Sequence, residues 1–184
     1  MFFIPGFIIG IITFPGVIIH EMAHRIFCDI SGVRVFKVCY FRVGNPSGYV
    51  LHEHTTDLKA SFLITVGPLI VNTVLCSLLT FTPAIAFSLK PAHLHPIFYV
   101  LAWVGLSMGM HAFPSNQDAK NFEAVVDATG KHGLLYWVSK AFRGLIFVAN
   151  LLRMVWFDLI YAVAVAWVLP HLLLHSISLS DFNN

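Results

Sequence analysis

The chain has 184 residues, of which 58% are hydrophobic, 11% are charged and 17 are phenylalanine. This composition excludes a soluble domain with a polar surface, and the formal net charge of +2 is too small to indicate a nucleic-acid partner. We therefore predict an integral, multi-pass membrane protein that forms one domain over residues 1–184 and has the lipid bilayer as its surroundings.

The apolar segments predict an all-α polytopic membrane protein with about four transmembrane helices. A helix needs about 20 apolar residues to cross the bilayer core, and suitable segments lie at about residues 2–27, 60–89, 96–113 and 154–174. Pro5 and Pro15 are expected to bend the first span. A kink at Pro15, five residues before His20, would open the backbone and admit water near that histidine.

Two smaller elements are predicted outside the spans. Alternating apolar and polar residues, a turn rich in glycine and proline, and a second short apolar run predict a β-hairpin at about residues 33–51. Its edge strand would pair with an extended substrate segment; an irregular loop on the membrane surface is the alternative. Residues 134–152 are amphipathic and basic, which favours a helix lying in the membrane interface.

The first apolar segment closes with a His-Glu-x-x-His run, His20-Glu21-Met22-Ala23-His24. Residues four apart share one face of a helix, so His20 and His24 can bind one metal ion while Glu21 lies beside a metal-bound water. This is the chemistry of a zinc hydrolase. The alternatives are a chance occurrence of the run and a pair of histidines that only fills polar space between helices.

Basic residues suggest where a third ligand lies. They concentrate at residues 25–59 and 119–153, so we expect both stretches and the His-Glu-x-x-His run on the cytoplasmic side and both termini outside. The first and third spans then run in the same direction, which brings Asp118 and His111 to the depth of the histidine pair. Asp118, or alternatively His111, would complete one zinc site per chain with an open position for water. It is also possible to interpret Asp118 as an ordinary surface carboxylate that binds no metal.

Asn72 is a polar side chain in the middle of the second apolar segment, four residues after Pro68. At this depth it should face a protein neighbour or water instead of lipid. A bridge between two helices and contact with a substrate are equally compatible with this position.

These motifs together resemble the site-2 protease family of intramembrane zinc metalloproteases, over most of residues 10–120. The residues that carry the resemblance occur in the family's order: the His-Glu-x-x-His run, Gly48-Tyr49-Val50, Gly67-Pro68 followed by Asn72, and Pro114 followed by Asp118. The resemblance implies that His20, His24 and Asp118 bind zinc and that Glu21 activates water. It also implies that Asn72, with Tyr49 and Val50 of the hairpin, holds an unwound substrate helix.

The chain departs from the family pattern at three places. Three residues separate Pro68 from Asn72 where the family usually has two, and Phe113-Pro114 and Gln117-Asp118-Ala119 replace the family's Asn-Pro and Leu-Asp-Gly.

The expected function is hydrolysis of peptide bonds in transmembrane protein substrates. A catalytically inactive, zinc-binding scaffold of the same fold is one alternative. A membrane di-iron hydroxylase is another, because His171 and His175 form a second pair four residues apart and His93 and His95 lie in another loop. The sequence does not specify an oligomeric state.

Overall fold

The computed structural model describes residues 6–89, 93–130 and 133–181, with the backbone alone described for Leu169 and for residues 173–181. In this part of the chain a two-stranded sheet separates the first two α-helices from the other five. The elements are α1 (Gly6–Ile12), α2 (Phe14–Ile30), β1 (Val35–Cys39), β2 (Tyr49–His52), α3 (Leu58–Ser88), α4 (Pro96–Met110), α5 (Asn116–Ala128), α6 (Gly133–Leu152) and α7 (Phe157–Asp181). A 3-10 turn at Arg153–Val155 joins α6 to α7.

The first apolar segment is broken into two helices. α1 and α2 meet at Thr13 with a bend of 94°, and Pro15 lies in the first turn of α2. Proline has no N–H, and its ring clashes with the carbonyl four residues earlier, which favours a kink or a break in the turn before Pro15. The predicted bend is therefore present, but it leaves two helices at nearly a right angle in place of one span. Residues 1–5, where this span was predicted to begin, lie outside the described residues.

The helices are consistent with a membrane protein, but four spans are not confirmed. Among the described residues α3 and α6 are long and apolar enough to cross a bilayer, and the bent α1–α2 pair is a third only if it counts as one span. α4 is apolar but has 15 residues, since it begins at Pro96 and ends before Pro114. α6 matches the helix predicted at residues 134–152, and because its length and hydropathy would also allow it to cross, an interfacial position stays a prediction.

The predicted β-hairpin is confirmed. β1 and β2 pair antiparallel, with Val38 opposite Val50 and Cys39 opposite Tyr49. The sheet has two strands, so within the described part of the chain each strand keeps one edge without a strand partner. An edge of this kind can pair with an added extended segment.

α3 is the central helix, and small residues let its neighbours come close. A Cβ atom at Gly105 of α4 would lie 2.5 Å from Thr80 of α3, and one at Gly109 would lie 2.7 Å from Ala162 of α7. A side chain does not fit at either position, so these two glycines allow α4 to pack closely against its neighbours. α4 and α7 thus pack side by side against α3.

An apolar cluster fixes α5 and α6 against the start of α3. Its buried members are Leu58, Phe122, Val125, Val126, Tyr136 and Ile146. Burial of such side chains is the main favourable term in packing helices against one another in water. The cluster sets the position of the first turn of α5, which carries Asp118.

Candidate metal centre

His20 and His24 lie on one face of α2 and are both buried, with 7% and 5% of their surface exposed. Their Nε2 atoms are 3.2 Å apart. The helical spacing of four residues therefore brings the two imidazoles to a common point, as the sequence predicts.

Backbone carbonyls from two other helices orient the histidine rings. Nδ1 of His20 lies 2.6 Å from the oxygen of His111, and Nδ1 of His24 lies 3.0 Å from the oxygen of Ile64. A carbonyl oxygen only accepts, so each Nδ1 carries the hydrogen and donates it. In the neutral rings each Nε2 then keeps its lone pair, and this is the arrangement found in metal-binding histidines.

Pro68 explains why the Ile64 carbonyl is free to accept. In a regular α-helix the oxygen of Ile64 would accept from the N–H of residue 68, four positions later. Pro68 lies inside α3 and has no N–H. The Ile64 carbonyl therefore has no partner within α3 and can accept from His24. Gly67 allows α2 to lie close to α3 here, because a Cβ atom at Gly67 would collide with the ring of Phe27.

The His111 carbonyl is held by Asn72 as well as by His20. Asn72 has none of its surface exposed, and its Nδ2 group lies 2.9 Å from the oxygen of His111 and 3.3 Å from that of Gly16. Asn72 therefore bridges α4 and α2, which is the first of its two predicted roles. A Cβ atom at Gly16 would lie against the backbone of Ser107, so this glycine allows α2 and α4 to approach closely.

Asp118 comes from α5 and completes the cluster. Its Oδ2 atom lies 3.4 Å from Nε2 of His24 and 3.9 Å from Nε2 of His20. Burial disfavours the charged carboxylate, but when the two rings are protonated the positive charges of His24 and His20 outweigh that cost and hold the pKa of Asp118 well below its ordinary value. The predicted convergence of these three side chains is found.

A capping box holds Asp118 in place. Its Oδ2 atom accepts from the backbone N–H of Ser115 at 2.8 Å and from the Ser115 hydroxyl at 2.6 Å. Ser115 Oγ in turn lies 3.2 Å from the backbone nitrogen of Asp118. This Ser-x-x-Asp pattern is a common start of a helix, and here it fixes the carboxylate beside the histidine pair.

The three side chains fit a tetrahedral metal ion. Zinc binds histidine nitrogen at about 2.0–2.1 Å and carboxylate oxygen at about 2.0–2.2 Å, so neighbouring ligand atoms lie roughly 3.3 Å apart around it. The three separations in this cluster are 3.2, 3.4 and 3.9 Å. Two lone pairs and a carboxylate oxygen directed at one another repel unless a metal ion or a proton lies between them. Among the described residues this is the one group of His, Cys, Asp and Glu side chains with such spacing.

Glu21 lies beside the cluster and packs against the loop before β2. A Cβ atom at Gly48 would lie 2.7 Å from its Cγ atom and 3.1 Å from its Oε1 atom. Within the described residues the carboxylate has neither a hydrogen-bond donor nor an ion-pair partner. Glu21 lines one cavity together with His20 and another together with His24.

Two cavities meet at Glu21. The first, of about 540 Å³, is lined by His20, Glu21 and residues of α1, α4, α6 and α7, and we name it the α6–α7 cavity. The second, of about 490 Å³, is lined by His24, Glu21, Asp118 and β2, and we name it the hairpin cavity. Pro46 and Gly48 border both. The cluster therefore lies between two adjoining cavities. Tyr49 and Val50 line the hairpin cavity.

His111 contributes its backbone to the centre. Its Nε2 atom lies 2.7 Å from the hydroxyl of Thr13, and that hydroxyl donates to Ile9. The hydroxyl has a single hydrogen, so His111 donates and Thr13 accepts. The ring that was the alternative third ligand is thus engaged at the α1–α2 bend.

Two of the four histidines of the alternative di-iron site make hydrogen bonds within their own helix or its cap. His95 caps the start of α4 by accepting from Ile97, and His171 lies 2.9 Å from the oxygen of Trp167 through its Nδ1 atom. Those of them that the structure describes form no group with metal-ligand spacing. The His175 side chain lies outside the described residues.

Sequence reasoning missed Ser115, the Ile64 carbonyl and the contact of Gly48 with Glu21. The Ser-x-x-Asp spacing before a helix and a proline four residues after Ile64 were signals that could have revealed the first two. The third depends on how a loop folds back on α2, which no local pattern specifies.

Searches of protein-family models, curated proteins and solved structures found no match to this chain.

Proposed function

We propose that this chain is an intramembrane zinc metalloprotease, similar to the site-2 protease family, that hydrolyses peptide bonds of transmembrane substrate helices. One observation carries the proposal: two oriented histidine nitrogens and the Asp118 carboxylate converge on one point beside Glu21, where two cavities meet. A structural metal site has four protein ligands and is closed, whereas three ligands with access to a cavity suit a catalytic one.

In the proposed reaction His20, His24 and Asp118 hold one zinc ion. Bound zinc supplies a Lewis acid for the scissile carbonyl and lowers the pKa of water toward neutrality. Glu21 accepts a proton from the attacking water and later donates it to the leaving amine. The absence of an ion-pair partner for its carboxylate among the described residues suits that role, because a base engaged in an ion pair would first have to break it.

The substrate has to be extended at the point of cleavage, because a helical peptide hides its carbonyl in the backbone ladder. The hairpin cavity contains Tyr49 and Val50 of β2, and pairing with the edge of this strand would offset the hydrogen bonds lost on unwinding. We further propose that the site and both basic stretches face the cytoplasm with the termini outside, since lysine and arginine concentrate there.

Metal content is the first test. Purified full-length protein should contain about one zinc per chain by mass spectrometry, and the metal should be lost in His20→Ala and in Asp118→Ala. His95→Ala is the matched control. It removes a histidine that caps the start of α4 and is not a proposed ligand, so this variant should keep its zinc. Full metal retention in Asp118→Ala would contradict the proposed ligand set.

Catalysis is tested separately with Glu21→Gln. This variant should keep zinc and lose cleavage of a single-span model peptide in reconstituted membranes, because the amide cannot accept the proton. Cleavage at the parental rate would show that Glu21 is not the base. Zinc in the parent chain without cleavage of any helical peptide would favour the non-catalytic scaffold.

A further inference from the structure

A second polar cluster lies in the α6–α7 cavity, away from the three proposed ligands. Asn150 at the end of α6, Arg153 and Trp156 in the connecting turn, and Asp158 at the start of α7 all line this cavity. We name these four residues the α6–α7 wall. Polar groups among apolar membrane helices are costly and commonly mark functional positions.

Two acceptors of this wall have no donor within the described chain. Oδ1 of Asn150 and Oδ1 of Asp158 are both buried and without a hydrogen-bond partner. The other carboxylate oxygen of Asp158 accepts from Nε of Arg153 at 2.7 Å. Buried acceptors are nearly always paired in folded proteins, so this wall is suited to a group that brings donors.

The backbone of the wall is strained at the same place. Trp156 has a φ of 63°, a left-handed conformation that a non-glycine residue with a large side chain rarely adopts. Strain of this kind persists where the surrounding structure imposes it, and it concentrates at ligand sites. The left-handed conformation of Trp156 reverses the chain between Arg153 and Asp158, whose side chains form an ion pair.

The charge of the wall limits what it can bind. Arg153 and Asp158 form an ion pair, so the wall is already neutral and gains little from a charged ligand. A carboxamide is neutral, brings N–H donors of the kind that these acceptors lack, and brings a carbonyl that Arg153 can bind.

We propose that the α6–α7 wall is a specificity subsite for an asparagine or glutamine side chain of the bound peptide. The inference rests on the proposed function, since it takes the α6–α7 cavity, which reaches His20 and Glu21, as one arm of the substrate groove. The subsite then selects which residue lies at a fixed distance from the cleaved bond.

The test is a binding measurement with the full chain carrying Glu21→Gln in nanodiscs. The probes are fluorescent single-span peptides of leucine and alanine in which one glutamine is moved along the sequence, each paired with a peptide carrying methionine at that position. Methionine has a similar length and no donor. We expect glutamine to tighten binding about tenfold at one position and to have little effect elsewhere. Glutamate at that position should bind less tightly than glutamine.

Substitutions at Asn150 locate the effect. Asn150→Leu should reduce the preference for glutamine to less than twofold, whereas Asn150→Asp keeps an acceptor and should retain it. Lys140→Leu, on the same helix but lining neither cavity, is the matched control and should leave the preference unchanged. If Asn150→Leu does not fold, the comparison of glutamine with methionine in the parent chain decides by itself.

Equal binding of glutamine and methionine peptides at every position would overturn the inference, as would tighter binding of the glutamate peptide, which would make Arg153 an anion site. Zinc content and cleavage by the chain with Glu21 intact are measured alongside. Zinc and cleavage without a glutamine preference refute the subsite alone. A glutamine preference without zinc or cleavage refutes the protease proposal and leaves a peptide-binding site.

Discussion

Nδ1 of His24 lies 3.0 Å from the backbone oxygen of Ile64, across the interface between α2 and α3. No N–H of α3 competes for this oxygen at the usual spacing, because residue 68 is proline. A local defect in one helix therefore sets the tautomer of a histidine in another. The contact connects the Gly-Pro element of α3 to the candidate metal centre by a defined hydrogen bond.

Pro68→Ala should weaken zinc binding. The new N–H at position 68 can pair with the Ile64 carbonyl, which then no longer fixes the His24 ring. Loss of such an orienting partner typically costs 10- to 100-fold in metal affinity, so we expect the zinc dissociation constant to rise by about tenfold or more. Competition with a chromophoric chelator measures it.

Pro83→Ala is the control for that experiment, because Pro83 also lies inside α3 and is roughly 22 Å further along the helix axis. It should leave zinc affinity unchanged. Equal affinity in the parent chain and Pro68→Ala would show that the Ile64 carbonyl does not orient His24.

Asn72→Leu should lower both stability and zinc affinity. It removes the donor to the carbonyls of Gly16 and His111, and each lost hydrogen bond of this kind typically costs about 0.5–1.5 kcal/mol. Thermal unfolding in detergent and chelator competition report the two effects. Thr73→Val, which removes a hydroxyl bonded to Tyr161, should reduce stability without changing zinc affinity. A higher KM with unchanged stability and zinc affinity in Asn72→Leu would instead indicate substrate contact.

Ser115→Ala should loosen Asp118. The substitution removes the hydroxyl that donates to Asp118 Oδ2 and caps α5, with an expected loss of about 1 kcal/mol of stability and about tenfold in zinc affinity. Asp57→Ala removes the cap of α3, where the side chain accepts from Lys59. It should cost similar stability and leave zinc binding intact, so zinc loss in both variants would argue against a specific role for Ser115.

Gly48→Ala should impair cleavage while zinc stays bound. The new methyl group would lie 2.7 Å from Cγ of Glu21 and 3.0 Å from the oxygen of Tyr40, so Glu21 or the loop has to move. We expect kcat to fall at least tenfold, since small displacements of a catalytic group are costly. Gly44→Ala in the same loop meets nothing closer than 3.9 Å and should be fully active. Parental activity in Gly48→Ala would show that this loop does not position Glu21 for catalysis.

The elements that sequence predicted well are those encoded by local patterns. The spacing of His20 and His24 places both on one helix face, and alternation with a glycine-rich turn gives the hairpin. The convergence of Asp118 followed from the expected direction of two apolar segments, although α4 is too short for the span assigned to it. Helix bounds near Pro15 and Pro114 follow from proline chemistry.

Other features depend on packing between distant parts of the chain. The 94° bend between α1 and α2 is more than proline requires, and it is accompanied by the contact of Thr13 with His111. The engagement of Asn72 with two backbone carbonyls likewise requires α2, α3 and α4 to be assembled. No periodicity in the sequence reports such contacts, and so the role of Asn72 stayed open there.

The wide separation of the ligands along the chain has a consequence for biogenesis. The His-Glu-x-x-His run emerges from the ribosome early, but the carbonyls that orient it come from Ile64 and His111, and Asp118 follows later still. A nascent chain that ends before Ser115 therefore displays the motif without a competent centre. If the cluster binds zinc as proposed, the metal is captured only after α4 and α5 have been made and packed, so maturation of the site waits for completion of the helical core.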